Sequence, residues 1–296
     1  MKLSVSTYSL SRWRSENNKT LEDSIDWIAE QGVDGVEFSG LDPKAETQGH
    51  VKRAKALRKR VEKHGLVVSS YCVGANLLVA PDERKKVVDK LKGDVDTAAA
   101  FGVRTMRHDV AWGWGEDAKK WHKGAQSFAA ALKAIVPAIR EVTEYAQTQG
   151  VKTSLENHGF YMQASERVEK LIKAVDHPNY GLTIDMGNFL CVNENPVDAV
   201  KRVGKYAIMA HVKDFHIKPK KLAPPSGWIM TPTPVAIRGA IVGHGGIDIP
   251  AQLKILKRLK YNHFLSLEFE GLEEPTRAIK LGLEYLRLQF KELGIG

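Results

Sequence analysis

The chain has 296 residues, which is enough for one large domain or two small ones, and a (β/α)8 barrel of about 250 residues would fit within it. Lysine and arginine outnumber aspartate and glutamate by 44 to 35, but the resulting charge of +9 is spread along the chain instead of forming the concentrated basic patch of nucleic-acid binding proteins. No segment has the ~18–20 apolar residues of a membrane span, no apolar leader follows Met1, and there are only two cysteines, so we expect a cytoplasmic protein without a membrane partner.

Eight short apolar segments alternate with amphipathic segments along the chain. A strand is predicted over 3–10, and the helix predicted over 20–32 has Leu21, Ile25 and Ile28 on one face. The other strands are predicted at 33–40, 66–74, 103–114, 151–159, 180–188, 207–218 and 263–271. The other helices are predicted at 51–65, 82–101 and 123–149, and from Ser165, Pro196, Pro250 and Pro275 onwards.

This alternation predicts the fold class. The strand segments are continuously apolar, which is typical of parallel strands buried on both faces. Eight βα units favour an α/β fold with a single (β/α)8 TIM barrel, and we expect one domain over residues 1–296. An open doubly wound sheet is the alternative, but no GxGxxG or P-loop pattern follows an early strand. Residues 219–246 are rich in proline and glycine and predict a long loop between strand seven and its helix.

Polar residues stand at the ends of several predicted strands, where catalytic groups collect in this type of barrel. Strands five to eight end in Glu156, Asp185, His211 and Glu268. Three converging carboxylates would repel one another, and one divalent cation would neutralise them. Three oxygen ligands and one imidazole suit Mn²⁺, which we expect, with Mg²⁺, Co²⁺ or Zn²⁺ as alternatives. For each residue taken singly, a salt bridge or a satisfied buried hydrogen bond is the structural alternative.

Four strings in the sequence, LENHG, IDMGN, HVKD and LSLE, together with GVDGVEFSG and GHGGIDIP, resemble the xylose isomerase-like superfamily of sugar phosphate isomerases and epimerases. The resemblance covers nearly the whole chain. It implies one divalent metal ion held by Glu156, Asp185, His211 and Glu268, and a carbohydrate or polyol as substrate. It also implies that Glu156 and Glu268 double as acid/base groups, as in the ketose epimerases of this superfamily. Barrels of this superfamily often pair, so a homo-oligomer is expected as well.

Such a site predicts a specific early chemical step. The metal would polarise a carbonyl, a carboxylate would remove the neighbouring proton, and a metal-bound enediolate would form. Return of a proton by the second carboxylate gives an epimerase or an isomerase. We expect three further residues to assist: His158 as a hydrogen-bonding group for the substrate, Lys213 beside an enediolate oxygen, and His108 as an additional base or hydroxyl contact. A purely structural contact is the alternative for each of them.

Three other residues near the predicted strand ends are open to interpretation. Glu37 is expected to be structural or to contact the substrate, in preference to binding metal. Trp112 and Trp114 predict either an apolar wall for a sugar ring or ordinary loop packing.

Two other functions fit the same residues. The intermediate can instead expel a β-substituent, so a lyase or dehydratase acting on a keto-inositol or a 3-keto-glycoside is the main alternative. The histidines His108, His158 and His216 favour it, because elimination benefits from a dedicated base and acid. A DNA repair enzyme like the endonuclease IV branch, with three zinc ions, is disfavoured because Asn188 stands where that branch has a zinc-binding histidine. We therefore expect no nucleic-acid partner.

Overall fold

The computed structural model describes residues 1–41, 47–112, 128–231 and 234–295. In chain order its strands are β1 (Lys2–Ser6), β2 (Gly35–Ser39), β3 (Val67–Val73), β4 (Thr105–His108), β5 (Lys152–Glu156), β6 (Tyr180–Asp185), β7 (Ala207–Val212), β8 (Asp214–Pro219), β9 (Ile229–Met230), β10 (Val235–Ala240) and β11 (Phe264–Leu267). Eight of them pair in parallel and close into a barrel in the order β1-β11-β7-β6-β5-β4-β3-β2. The predicted (β/α)8 barrel is confirmed, while the assignment of residues 1–296 to one domain stays a prediction.

Helices connect most of the barrel strands. Within the described ranges they are α1 (Ser11–Glu16), α2 (Leu21–Ala29), α3 (Thr47–Lys63), α4 (Pro81–Phe101), α5 (Phe128–Thr148), α6 (Ser165–Val175), α7 (Pro196–Val203), α8 (Ile249–Arg258) and α9 (Pro275–Leu293). Local sequence explains where several begin. At α2, the Thr20 hydroxyl accepts from the Asp23 N–H while the Asp23 carboxylate accepts from the Thr20 N–H, so both unpaired donors are satisfied. Proline stands in the first turn of α4, α7, α8 and α9, where a missing N–H costs nothing.

All eight predicted barrel strands end earlier than the sequence indicates. The first ends at Ser6, and residues 7–10 form a 3-10 turn. The fourth ends at His108, and residues 113–114 of the prediction lie outside the described residues. The seventh, predicted over 207–218, is two strands, because the chain leaves the barrel at Lys213 and β8 then pairs with β10 instead. An apolar run does not reveal such a change of partner.

Part of the segment predicted as a long loop forms β-strands. Strands β8, β10 and β9 form a separate antiparallel sheet, in which Arg238 pairs with His216 and Ile237 with Ile217. The Asp214 carboxylate anchors the glycine loop that follows, since it accepts the N–H groups of residues 243, 245 and 247. This sheet lies at the carboxyl end of the barrel because β8 begins two residues after β7 ends.

The core separates apolar from polar side chains across the barrel wall. Leu155, Ile184 and Ala210 are fully buried, and each is followed or preceded by a polar residue whose side chain points to the other face. Polar groups therefore gather inside the barrel at its carboxyl end. Both cysteines, Cys72 and Cys191, are free and buried. In the described part of the chain, no helix combines the length and the apolar character that crossing a membrane requires.

Candidate active site

The four residues predicted as metal ligands meet at the carboxyl end of the barrel. One side-chain ligand atom from each of Glu156, Asp185, His211 and Glu268 lies within 4.8 Å of the other three. The His211 Nδ1 is 3.6 Å from Glu156 Oε1, 3.9 Å from Asp185 Oδ2 and 3.5 Å from Glu268 Oε1. All four residues are buried. The register of the barrel explains the convergence, because β6 pairs Asp185 directly with His211 on β7.

The chemistry of this cluster fits a divalent cation. Within the described chain, the His211 Nδ1 is buried and has no hydrogen-bond partner. Among the described residues, six carboxylates lie in or beside the cluster and the fixed cations beside it are one arginine and one lysine, so the negative charge is in excess. The carboxylates are those of Glu37, Asp109, Glu156, Asp185, Glu268 and Glu270. Hard carboxylate oxygens with one imidazole nitrogen could therefore hold a metal ion.

A buried carboxylate fixes the orientation of the imidazole. The Glu37 Oε1 lies 2.9 Å from the His211 Nε2, and the Cys72 thiol donates to the same oxygen over 3.4 Å. A carboxylate at Nε2 favours the tautomer with its proton there, which leaves the Nδ1 lone pair facing the three cluster carboxylates. Glu37 thus acts on the site through His211, which favours the structural interpretation of that residue.

Lys213 lies among the cluster carboxylates, as expected for a residue two positions after His211. Its Nζ is 3.2 Å from Asp185 Oδ2, 3.0 Å from Glu268 Oε2 and 3.5 Å from Glu270 Oε1. Burial raises the pKa of Asp185 to about 6, although the ammonium of Lys213 opposes this. Gly187 makes room for the lysine, because a Cβ at that position would lie 2.6 Å from the Lys213 Cγ.

Arg107 compensates the negative charge of Glu156, on the side of the cluster opposite Lys213. Its Nη2 lies 2.5 Å from Glu156 Oε2, and its Nη1 lies 3.3 Å from Asp109 Oδ1. Burial alone would raise the pKa of Glu156, but the charges of Arg107 and His211 hold that pKa well below its ordinary value. Arg107 was not singled out from the sequence. The signal that could have found it is the period-two alternation of β4, since Arg107 and His108 cannot both face the barrel interior.

Backbone and amide groups orient the remaining oxygens. Asp185 Oδ1 accepts the N–H groups of Gly187 and Asn188, each over 2.8 Å, so that Oδ2 is the oxygen directed at the cluster. The Asn188 side chain donates to Glu156 Oε1 over 3.1 Å. From the sequence, Asn188 was identified only as a residue that replaces a zinc-binding histidine. Its hydrogen bond to Glu156 is visible only in the three-dimensional structure.

The three predicted histidines lie in different surroundings. His158 is half exposed and its Nδ1 lies 3.3 Å from Asp109 Oδ1. Burial opposes protonation, but the bond to Asp109 and the charge of Glu156 raise the pKa of His158. His108 is fully buried, and its Nδ1 lies 3.0 Å from the Asp109 carbonyl oxygen. No hydrogen bond or ion pair of the described residues joins His108 to the cluster, so its catalytic role stays a prediction. His216 lies on β8, outside the barrel wall.

The predicted aromatic wall is described only in part. Trp112 is 52% exposed, and its indole N–H donates to Asp109 Oδ2 over 3.1 Å. Trp112 therefore lies beside His158, which shares Asp109 as a partner. Trp114 lies outside the described residues.

Comparison with known proteins agrees with this architecture. A family model described as xylose isomerase-like TIM barrel matches residues 25–289. An inosose dehydratase of Clostridium botulinum (strain Alaska E43 / Type E3) is 24% identical over 283 residues, covering 90% of this chain and 89% of the relative.

Two solved structures share the fold. The IolI protein with a bound zinc atom superposes with a TM-score of 0.75 at 18% identity, covering 98% of this chain and 99% of that one. The 3-keto-D-glucoside 4-epimerase YcjR of E. coli, in its apo form, superposes with a TM-score of 0.69 at 17% identity, covering 90% of this chain and 94% of that one.

Proposed function

This chain belongs to the xylose isomerase-like TIM barrel family, and on that premise we propose that it is a divalent-metal-dependent enzyme that epimerises or isomerises a sugar or a sugar derivative. The observation that carries the proposal is the buried cluster of three carboxylates around the Nδ1 of His211, which has no hydrogen-bond partner among the described residues. Relatives that share the fold support the substrate class, since one is a dehydratase of an inosose and another an epimerase of a keto-glucoside.

The proposed metal ligands are Glu156, Asp185, His211 and Glu268. A divalent ion held by these residues would polarise a substrate carbonyl and so acidify the neighbouring C–H. The oxygen-rich donor set favours Mn²⁺ in our proposal, while the zinc atom of the IolI structure makes Zn²⁺ the first alternative to test.

Two carboxylates are proposed as proton carriers. Glu156 on β5 and Glu268 after β11 are separated in the barrel by β6 and β7, so they approach the centre from different sides. Arg107 keeps Glu156 ionised and able to accept a proton from carbon. The ammonium of Lys213 lies 3.0 Å from Glu268 and would stabilise negative charge on a substrate oxygen next to that carboxylate. His158, at the exposed side, would hydrogen-bond a substrate hydroxyl.

Dehydration is the second candidate, and one observation favours it. The contact with Asp109 and the charge of Glu156 favour the protonated form of His158, and half of its side chain is exposed. A protonated imidazole can donate its proton to a departing hydroxyl, which an epimerase does not require. The inosose dehydratase that matches 90% of this chain supports the same alternative.

Proton exchange in D2O tests the proposal. Keto-sugars and inososes are incubated with the metal-loaded protein and followed by NMR. Deuterium at the carbon beside the carbonyl together with a new stereoisomer indicates epimerisation, and a conjugated enone absorbing in the ultraviolet indicates dehydration. Glu156→Gln and Glu268→Gln should abolish exchange, while Glu166→Gln on the exposed face of α6 should not. Full exchange by both cluster variants would refute the proposal.

A further inference from the structure

A cavity of about 510 Å³ lies along the antiparallel sheet β8-β10-β9. It is lined by two histidines, two cationic side chains and one tryptophan, namely His216, His244, Lys218, Arg238 and Trp228. Its volume is within the range of small-molecule sites, which is roughly 300–1,000 Å³. None of these residues belongs to the cluster at the carboxyl ends of the barrel strands.

The strand register places the charged residues on one face of the small sheet. Arg238 on β10 pairs directly with His216 on β8, and Lys218 lies two residues after His216 on β8. All three side chains therefore share a face of the sheet. Trp228 contacts both cations: the Lys218 Nζ lies 5.3 Å and the Arg238 Cζ 5.5 Å from the ring centroid. These contacts hold two long, flexible side chains in defined positions beside the cavity.

The cavity is electropositive and its cations are poorly neutralised. In the described chain, no carboxylate lines it and Lys218 makes no ion pair. Among the described residues Arg238 has one long ion pair, 3.4 Å to Glu273, and the same carboxylate lies 3.9 Å from the His216 Nε2. The N–H groups of the glycine loop are occupied by Asp214 and by the carbonyls of Phe215 and Ile241, so side chains and not backbone amides are available to a ligand in the cavity. Such a site suits a compact anion.

The cavity is next to the proposed catalytic centre. Strand β8 begins immediately after Lys213, whose ammonium contacts Asp185 and Glu268. On the other side, Gly239 of β10 forms a bridge with Gly271, three residues after Glu268. The chain from Lys213 to Lys218 therefore runs from the cluster to the cavity, and β10 connects the cavity to the segment that follows Glu268.

We propose that this cavity binds an anionic phosphate-monoester group of the substrate, with Lys218 and Arg238 as the principal contacts beside Trp228. The inference rests on the proposed function, because it names the substrate class of that enzyme as phosphorylated. Glu273 competes with the ligand for Arg238 and gives way when the phosphate binds.

Binding of inorganic phosphate tests the site without requiring turnover. Calorimetric titration of the full chain gives the affinity for phosphate. If phosphate binds beside Trp228, it changes the tryptophan fluorescence of the wild type but not that of Trp228→Phe. Arg238→Gln and Lys218→Gln should each weaken binding by about tenfold or more, since each removes a charge-assisted contact. Glu273→Gln should strengthen it, because a competing anion is removed. If Glu273 had only a structural role, Glu273→Gln would not increase the affinity for phosphate.

Two controls separate this site from others. Arg104→Gln removes an arginine that lines a cavity at the opposite end of the barrel and should leave phosphate binding unchanged. Asp185→Ala removes a proposed metal ligand and should also leave it unchanged, so a failure of the metal proposal does not affect this result. Unchanged affinity in both Arg238→Gln and Lys218→Gln, or an equal loss in Arg104→Gln, would overturn the inference.

A sugar phosphate identifies the source of the anion. Fructose 6-phosphate should compete with inorganic phosphate at the Trp228 signal, whereas fructose should not. If inorganic phosphate binds but the sugar phosphate does not compete, the cavity takes only the free anion and the substrate assignment is wrong.

Discussion

Replacing Glu37 by glutamine tests how the barrel interior prepares the imidazole of His211. Glutamine has nearly the size of glutamate, but its neutral amide oxygen is a weaker acceptor for the Nε2–H that Glu37 faces over 2.9 Å. A hydrogen bond to a charged group contributes roughly 1.5–3 kcal/mol and a neutral one roughly 0.5–1.5 kcal/mol, so the loss is about 1–1.5 kcal/mol. That corresponds to about tenfold weaker metal binding, at the lower end of the roughly 10–100-fold effects known for such partners of metal ligands.

The assay is a competition titration of the metal-free protein with Mn²⁺ and with Zn²⁺ against a fluorescent chelator. Circular dichroism and thermal unfolding establish that the variant is folded. Glu270→Gln is the matched control, because Glu270 contacts Lys213 and has no contact with His211 among the described residues; it should change metal affinity less. A folded Glu37→Gln that binds metal as tightly as the wild type would refute the role assigned to Glu37.

Two further predictions concern a glycine and a surface ion pair. Gly187→Ala should displace Lys213, because the new Cβ would lie 2.6 Å from the Lys213 Cγ. The loss in kcat, expressed as a free energy, should therefore exceed the loss in the free energy of unfolding. A kcat equal to that of the wild type would contradict this. The ion pair with Arg60, assisted by His64, lowers the pKa of Asp26 to about 2, so its stabilisation is complete above pH ~4 and is lost as the pH falls towards 2. Because the pair is more than a third exposed, Asp26→Asn should cost less than about 1 kcal/mol at pH 7 and still less at pH 3 in urea unfolding; an equal cost at both values would contradict the assignment.

Much of the fold could be predicted from the sequence because the local signals agree with the tertiary structure. Parallel barrel strands are buried on both faces, so their apolar runs are visible without any knowledge of partners. The carboxyl ends of such strands must meet at one end of the barrel, and for this reason Glu156, Asp185, His211 and Glu268 could be grouped although they are distant in sequence.

Other features depend on contacts that the sequence does not encode locally. The contact between Glu37 and His211 joins residues 174 positions apart and follows from barrel closure. The division of the seventh predicted strand at Lys213 requires β10 as an alternative partner, which was hidden in a segment rich in proline and glycine. Which of Arg107 and His108 faces the interior depends on the phase of a strand only four residues long.

The metal content of the purified protein tests the central claim most directly. Plasma mass spectrometry is applied to the wild type and to Asp185→Ala after reconstitution with Mn²⁺, Mg²⁺, Co²⁺ or Zn²⁺ and removal of the excess. We predict about one divalent ion per chain in the wild type and none in the folded variant, since the variant loses one of four ligands. A content near three zinc ions would support the endonuclease-like alternative. A folded wild type that retains no divalent ion under any of these conditions would contradict the metal site and the chemistry derived from it.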